Sequence, residues 1–166
     1  MTTMIRRNSV IEQWGTIVEG GVGQEKRVMD DLFTFLKEAN MPQVKIHRDD
    51  CNTGMFGAKR NMYILLHDVL REYRMFLGAR DYGANLDVGW FLTLNPGGLK
   101  SAMSKRVAGN PLAFSMRVDI FTQQDLRAWT TIAHHCVKRA IDAVYEDLQK
   151  TPVGLDTSSK GFLNVW

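Results

Sequence analysis

The chain has 166 residues, 45% apolar and 23% charged. That is ordinary globular usage with enough apolar side chains for a core, and it excludes disordered, collagen-like and low-complexity classes. The formal net charge of +3 is too small to imply a polyanionic partner by itself.

In chain order, no apolar h-region follows Met1, so no secretory leader is expected. Trp14 to Glu19 reads as a short strand, broken by Gly20, Gly21 and Gly23. A helix follows over about 24–39, because Val28, Met29, Leu32, Phe33 and Leu36 repeat at helical spacing, and Asn40 and Pro42 end it. Strands are predicted from Val44, from Met62 to His67, Tyr73 to Arg80, Leu86 to Leu94, and Phe114 to Phe121. The helix-facing side of these strands is expected to carry Met62, Ile64 and Leu66 with Met75, Leu77, Trp90 and Met116. The long link before Phe114 is expected to hold a short helix around Leu99 to Val107. The last helix is predicted to start at a Thr122-x-x-Asp125 cap, and Leu126, Trp129, Ala133, Val137, Ala140 and Val144 form its stripe.

The order β-α-β-β-β-β-β-α describes an α+β fold: a curved antiparallel sheet of five to six strands with two helices on one face. It resembles helix-grip and TATA-binding-protein-like architectures, and a resemblance of fold implies no function. No repeat or linker divides the chain, so a single domain over 1–166 is expected. Its core spans about 9–148, and 149–166 form a C-terminal tail docked on the domain or on a neighbour. Cys51 and Cys136 give no disulfide framework, which points to a reducing compartment. No apolar run is long enough to span a bilayer, so the expected location is the cytoplasm.

Sequence motifs for chemistry fail on their spacing. His134, His135 and Cys136 are consecutive on a helix and point about 100° apart, so they do not converge on a metal. His47-Arg48-Asp49-Asp50 has a kinase-like start, but position 54 is glycine where that loop needs asparagine. The segment is expected to end a strand with solvated charges, and nothing identifies a base for Cys51. Gly20 to Lys26 lacks the phosphate-loop spacing and reads as a plain turn. Asp81, Asp87 and Asp119 are candidates for a carboxylate pair, with cross-strand ion pairing as the simpler account. No cofactor or metal is expected.

Alternation sends Tyr63, Leu65 and His67 to the opposite sheet face, with Arg74, Phe76, Phe91, Arg117 and Phe121. Aromatics mixed with arginine are typical of buried interfaces, and the same mixture suits stacking on single-stranded nucleic acid. The stretch Val88 to Val118 has no acidic residue, which allows contact with a polyanion or an anionic membrane surface. Phe162 and Trp166 near the chain end are expected to be buried against this domain or a neighbour. The leading expectation is a non-enzymatic protein-interaction or assembly module, homo-oligomeric or bound to another protein. Its partner-binding set is Phe76, Phe91, Phe121, Arg74, Arg117, Phe162 and Trp166. The alternative is a small-molecule or lipid-binding domain with a pocket between sheet and last helix, lined by Met75, Trp90, Met116 and Trp129. A small enzyme with an unidentified site is the third reading.

Overall fold

A computed structural model describes residues 3–5, 9–53, 58–94, 118–151, 156–163 and 165–166, the side chains of 3, 4, 52, 53, 58 and 59 excepted. Its elements are β1 (Thr3–Met4), β2 (Val10–Val18), α1 (Glu25–Glu38), β3 (Val44–Thr53), β4 (Ala58–His67), β5 (Tyr73–Tyr82), β6 (Asn85–Leu94), α2 (Ile120–Asp147) and β7 (Lys160–Gly161). The strands form one open sheet in the order β1-β3-β4-β5-β6-β2-β7. Neighbours are antiparallel throughout, except that β1 runs parallel to β3.

The two helices among the described residues lie on one face. Alternation along the strands turns Trp14 and Val18, Tyr63 and Leu65, Met75 and Leu77, and Val88 and Trp90 toward them. There they meet Val28, Leu32 and Leu36 of α1 and Leu126, Ala133 and Val137 of α2 in one core. The ion pairs Arg27–Asp147 and Arg139–Glu38 tie the helices together at the surface. The α+β class, the antiparallel sheet and the two helices are as read from the sequence.

The face of β4 is a correction. Met62, Ile64 and Leu66 lie on the helix-free side, while Tyr63, Leu65 and His67 share the helix side. The run Met62 to Leu66 is apolar at every position, so alternation within it is uninformative, and the loops on either side set the parity.

The start of α2 is a second correction. Residues 118–121 are no strand: Asp119 caps the helix, and Ile120 and Phe121 are its first two residues. The Asp119 carboxylate accepts from the amides of Phe121 at 3.1 Å and Thr122 at 3.0 Å. The Thr122 hydroxyl turns back to the same carboxylate. An ionised cap at the positive end of the helix dipole is stronger than a threonine cap three residues later. The rest of the expected strand from Phe114, and the expected helix at Leu99 to Val107, lie outside the described residues.

Two turns show why the long strands pair as they do. β5 and β6 join through Gly83-Ala84, with φ +62° at Gly83, the positive angle that a glycine-first two-residue hairpin needs. The loop after β4 is closed by the His67 ring, whose Nδ1 accepts from the amides of Val69 and Leu70.

The chain end packs on its own domain. β7 pairs with β2 at Glu12 and Gln13, and Leu163 and Val165 enter the core. Glu12 is fully buried and anchors this segment: its carboxylate accepts from the Ser159 hydroxyl and from the Leu163 amide at 2.8 Å. Ser159 in turn binds the amide of Val165. A Cβ at position 161 would collide with the Glu12 carboxylate, which requires glycine there. The burial expected for Trp166 is corrected, since it is 59% exposed, and Phe162 is half-buried. The inward-facing residues of this loop are Leu163 and Val165, because pairing at Lys160–Gly161 sets which side chains turn to the core.

Candidate functional site

The helix-free face divides into two zones. At one end Cys51, Met62, Ile64 and Phe76 form a buried apolar cluster, with Ile5, Leu66 and Phe91 against it. Phe76 lies directly opposite Phe91, and Arg74 opposite Thr93. The structure thus brings together Phe76, Phe91 and Arg74 from the expected partner-binding set. It separates Phe121, which stands 74% exposed at the start of α2. Arg117 and Met116 lie outside the described residues, as does most of the acid-free stretch from Val88.

At the other end the sheet carries a row without side chains. Gly15 of β2, Gly89 of β6 and Gly78 of β5 are in register across three strands. They floor an open trough of about 290 Å³, with Met62 and Phe91 along one side and Arg60, Arg80 and Asp87 at one corner. Lys160, Asp156 and Ser158, from the docked chain end, form the opposite rim. Sequence reasoning missed this row, although glycine inside a strand marks a bulge or the close approach of another group.

The three glycines differ in what holds them. A Cβ at position 89 would stand 2.7 Å from the Trp14 carbonyl oxygen, so the strands themselves demand glycine there. At position 15 the nearest atom would be 3.4 Å away, an ordinary contact. At position 78 it would meet the flexible end of Met62 at 3.1 Å. The fold therefore has no steric need for glycine at 15, whereas at 78 the buried Met62 must give way.

The charged corner is asymmetric. Arg80 donates through Nε to Asp87 at 2.8 Å and lies over the Tyr82 ring at 4.9 Å. Arg60 makes no hydrogen bond or ion pair among the described residues. Partial burial lowers its pKa, with Arg80 adding to the effect and Asp87 opposing it. Two guanidinium groups and one carboxylate leave this corner with a net positive charge.

The other candidates are occupied structurally. His134 is fully buried beneath Trp14 and Trp90, and its Nδ1 accepts from Trp90 Nε1 at 3.1 Å. Burial pushes its pKa down to about 4; Lys138 and His135 lower it further, and the Thr157 backbone partly opposes them. Burial raises the thiols of Cys51, to about 11, and Cys136. His135 is exposed and meets the main-chain oxygen of Trp166 at 3.0 Å. Among the described residues no three His, Cys, Asp or Glu side chains group to hold a metal.

The Asp81 carboxylate occupies the Gly23 amide at 3.0 Å in the glycine turn. Asp87 pairs with Arg80, and Asp119 caps α2 instead of joining the sheet. His47 to Asp50 lie in the middle of β3, not at its end, and Arg48 donates to Asn61. Met75 and Trp90 are fully enclosed in the core and Trp129 nearly so. The trough lies on the opposite side of the sheet from these three.

No protein-family profile matches the chain, and neither a curated protein nor a solved structure is significantly similar to it. Among the described residues no helix is long and apolar enough to cross a membrane.

Proposed function

We propose that this chain is a non-enzymatic binding module that works through the helix-free face of its sheet, with the trough as the ligand site. The observation that carries this reading is the glycine row. Glycines stand in register on three adjacent strands, with Met62 over Gly78, and Gly15 has no steric reason to be there. Trough volume is near the lower end of small-molecule sites, about 300–1,000 Å³. The structural engagement of the His, Cys and Asp candidates supports a role without catalysis.

The test is a charge-diverse fragment set added to the full chain, read by backbone amide shifts. Fragments that move Gly15, Gly78 and Gly89 together, and lose this effect in a Gly15→Ala/Gly78→Ala double variant, support the reading. A set that moves none of them removes it.

One observation favours the assembly reading beside this one. Ile120 and Phe121 are adjacent, 64% and 74% exposed, at the start of α2. A self-complementary contact between two such patches would form a symmetric dimer with a second copy of the chain. That surface lies apart from the trough, so the two readings are separable by mutation.

A further inference from the structure

We infer that the trough takes a small, flat organic monoanion, its ring laid on the glycine floor and its carboxylate held at the Arg60–Arg80 corner. This rests on the trough being the ligand site and assigns the chemistry of what fills it.

The floor comes first. Peptide planes at Gly15 and Gly89 carry no side chain on this side, and Met62 closes the floor over Gly78, so a flat surface can approach the backbone of β2 and β6 without meeting a Cβ. Met62 and Phe91 supply apolar contacts along its side. Aromatic and thioether side chains both suit the edge of a ring. An aliphatic chain would fill the same space with less contact to the planar floor.

The corner decides the charge. Arg80 is fixed by Asp87 through Nε, and among the described residues neither its terminal nitrogens nor the Arg60 fork has a hydrogen-bond partner. A guanidinium fork matches a carboxylate with two parallel hydrogen bonds. Asp87 faces the same corner, so the balance is one positive charge, which a monoanion neutralises. A cation would meet both guanidinium groups. At the far rim Lys160 is offset by Asp156, whose carboxylate is already bound by Ser158 through Oγ and N. That rim adds no second anion site.

The experiment compares three probes of one shape: 2-naphthoate, its neutral amide and the corresponding cationic amidine. Each is titrated into the full chain while the amides of Gly15, Gly78 and Gly89 are followed. We expect 2-naphthoate to shift these signals and the amide to bind about tenfold more weakly or worse. Added salt should weaken the naphthoate. Arg60→Met should reduce naphthoate affinity by about tenfold or more while leaving the amide unchanged.

Equal binding of amide and naphthoate, or an Arg60→Met variant that binds naphthoate like the parent, overturns the anion assignment and leaves the trough as a site. If neutral or cationic fragments reach the glycine amides and naphthoate does not, the assignment falls in the same way. If nothing in the fragment set or the series moves them, the trough reading falls with it. The probe series on the parent chain needs no variant to fold.

Discussion

Adding one methyl group separates the three glycines of the trough floor. At Gly89 the new Cβ would stand 2.7 Å from a backbone oxygen that cannot move without parting β2 from β6. Gly89→Ala should therefore destabilise the fold by roughly 1–3 kcal/mol, the usual penalty of overpacking. At Gly15 and Gly78 the space is open or filled by a flexible side chain. At Gly15 alanine should stabilise by about 0.5–1 kcal/mol, because it restricts the unfolded chain and suits a strand better; at Gly78 the same gain is offset by the shift that a Cβ forces on Met62. Urea unfolding of the three variants checks the contrast. Equal losses at all three positions would show that sheet geometry alone explains the row.

His134 gives a second prediction at this scale. Its folded pKa, about 4, lies below the ordinary histidine value, so the unfolded chain binds the proton better. The contribution is fully present above about pH 6.5 and is lost as pH falls toward 4. On the order of 2 kcal/mol should disappear across that window. In His134→Leu this acid dependence should flatten, although Trp90 loses its acceptor and overall stability drops. A parent chain equally stable at pH 7 and pH 4.5 would contradict the buried neutral ring. The helical stripe alone put His134 at the edge of the apolar face, because it does not show that Trp14 and the chain end close over that edge.

At the scale of elements, what sequence reveals depends on whether a signal is local. Helix α1 and strands β5 and β6 were legible because their periodicity and turn residues are carried within each segment. The start of α2 was legible only approximately, since Asp119 and Thr122 are both competent caps and only the folded geometry selects one. The face of β4 was not legible, because five consecutive apolar residues fit either parity. The trough depends on register between three strands far apart in sequence; each glycine was visible, but their alignment was not. The docked chain end depends likewise on a pairing between Glu12 and a loop almost the whole chain away.

That loop makes its own prediction. Leu163→Ala should cost about 2 kcal/mol or more, as for a buried leucine that leaves a cavity. Gly161→Ala should have a comparable effect for a different reason, since its Cβ would displace the Glu12 carboxylate from its partners. Thermal unfolding followed by tryptophan fluorescence checks both, because Trp14 in the core is bound to the chain end through the Asp156 carbonyl at 2.7 Å. If either variant melts like the parent, the chain end is not held as described.

For the whole molecule, the question is which surfaces remain for a second copy. Sheet edges are the commonest route to unwanted pairing, and both are blunted here. β1 covers the β3 edge at Cys51 and Asn52, the rest of that edge carries exposed Lys45, Arg48 and Asp50, and β7 covers part of the β2 edge. The helix-free face is buried at its apolar end and polar around the trough. Ile120 and Phe121 are different: two large apolar side chains, 64% and 74% exposed, project from the first turn of a helix. They follow Asp119, whose carboxylate is engaged by the helix amides, so the patch is held in a fixed orientation. Phe121 is the most exposed of the large apolar side chains described, which makes this the first surface to test for self-association. We expect sedimentation velocity to show a concentration-dependent increase in mass. Ile120→Ser/Phe121→Ser should abolish it with the melting temperature unchanged, because neither side chain contributes to the core. Phe91→Ser should leave the mass unchanged and weaken only ligand binding at the trough. A parent chain monomeric at every concentration would eliminate the assembly reading and leave the trough as the molecule's working surface. A mass change abolished by Phe91→Ser instead would place the contact between copies on the sheet face.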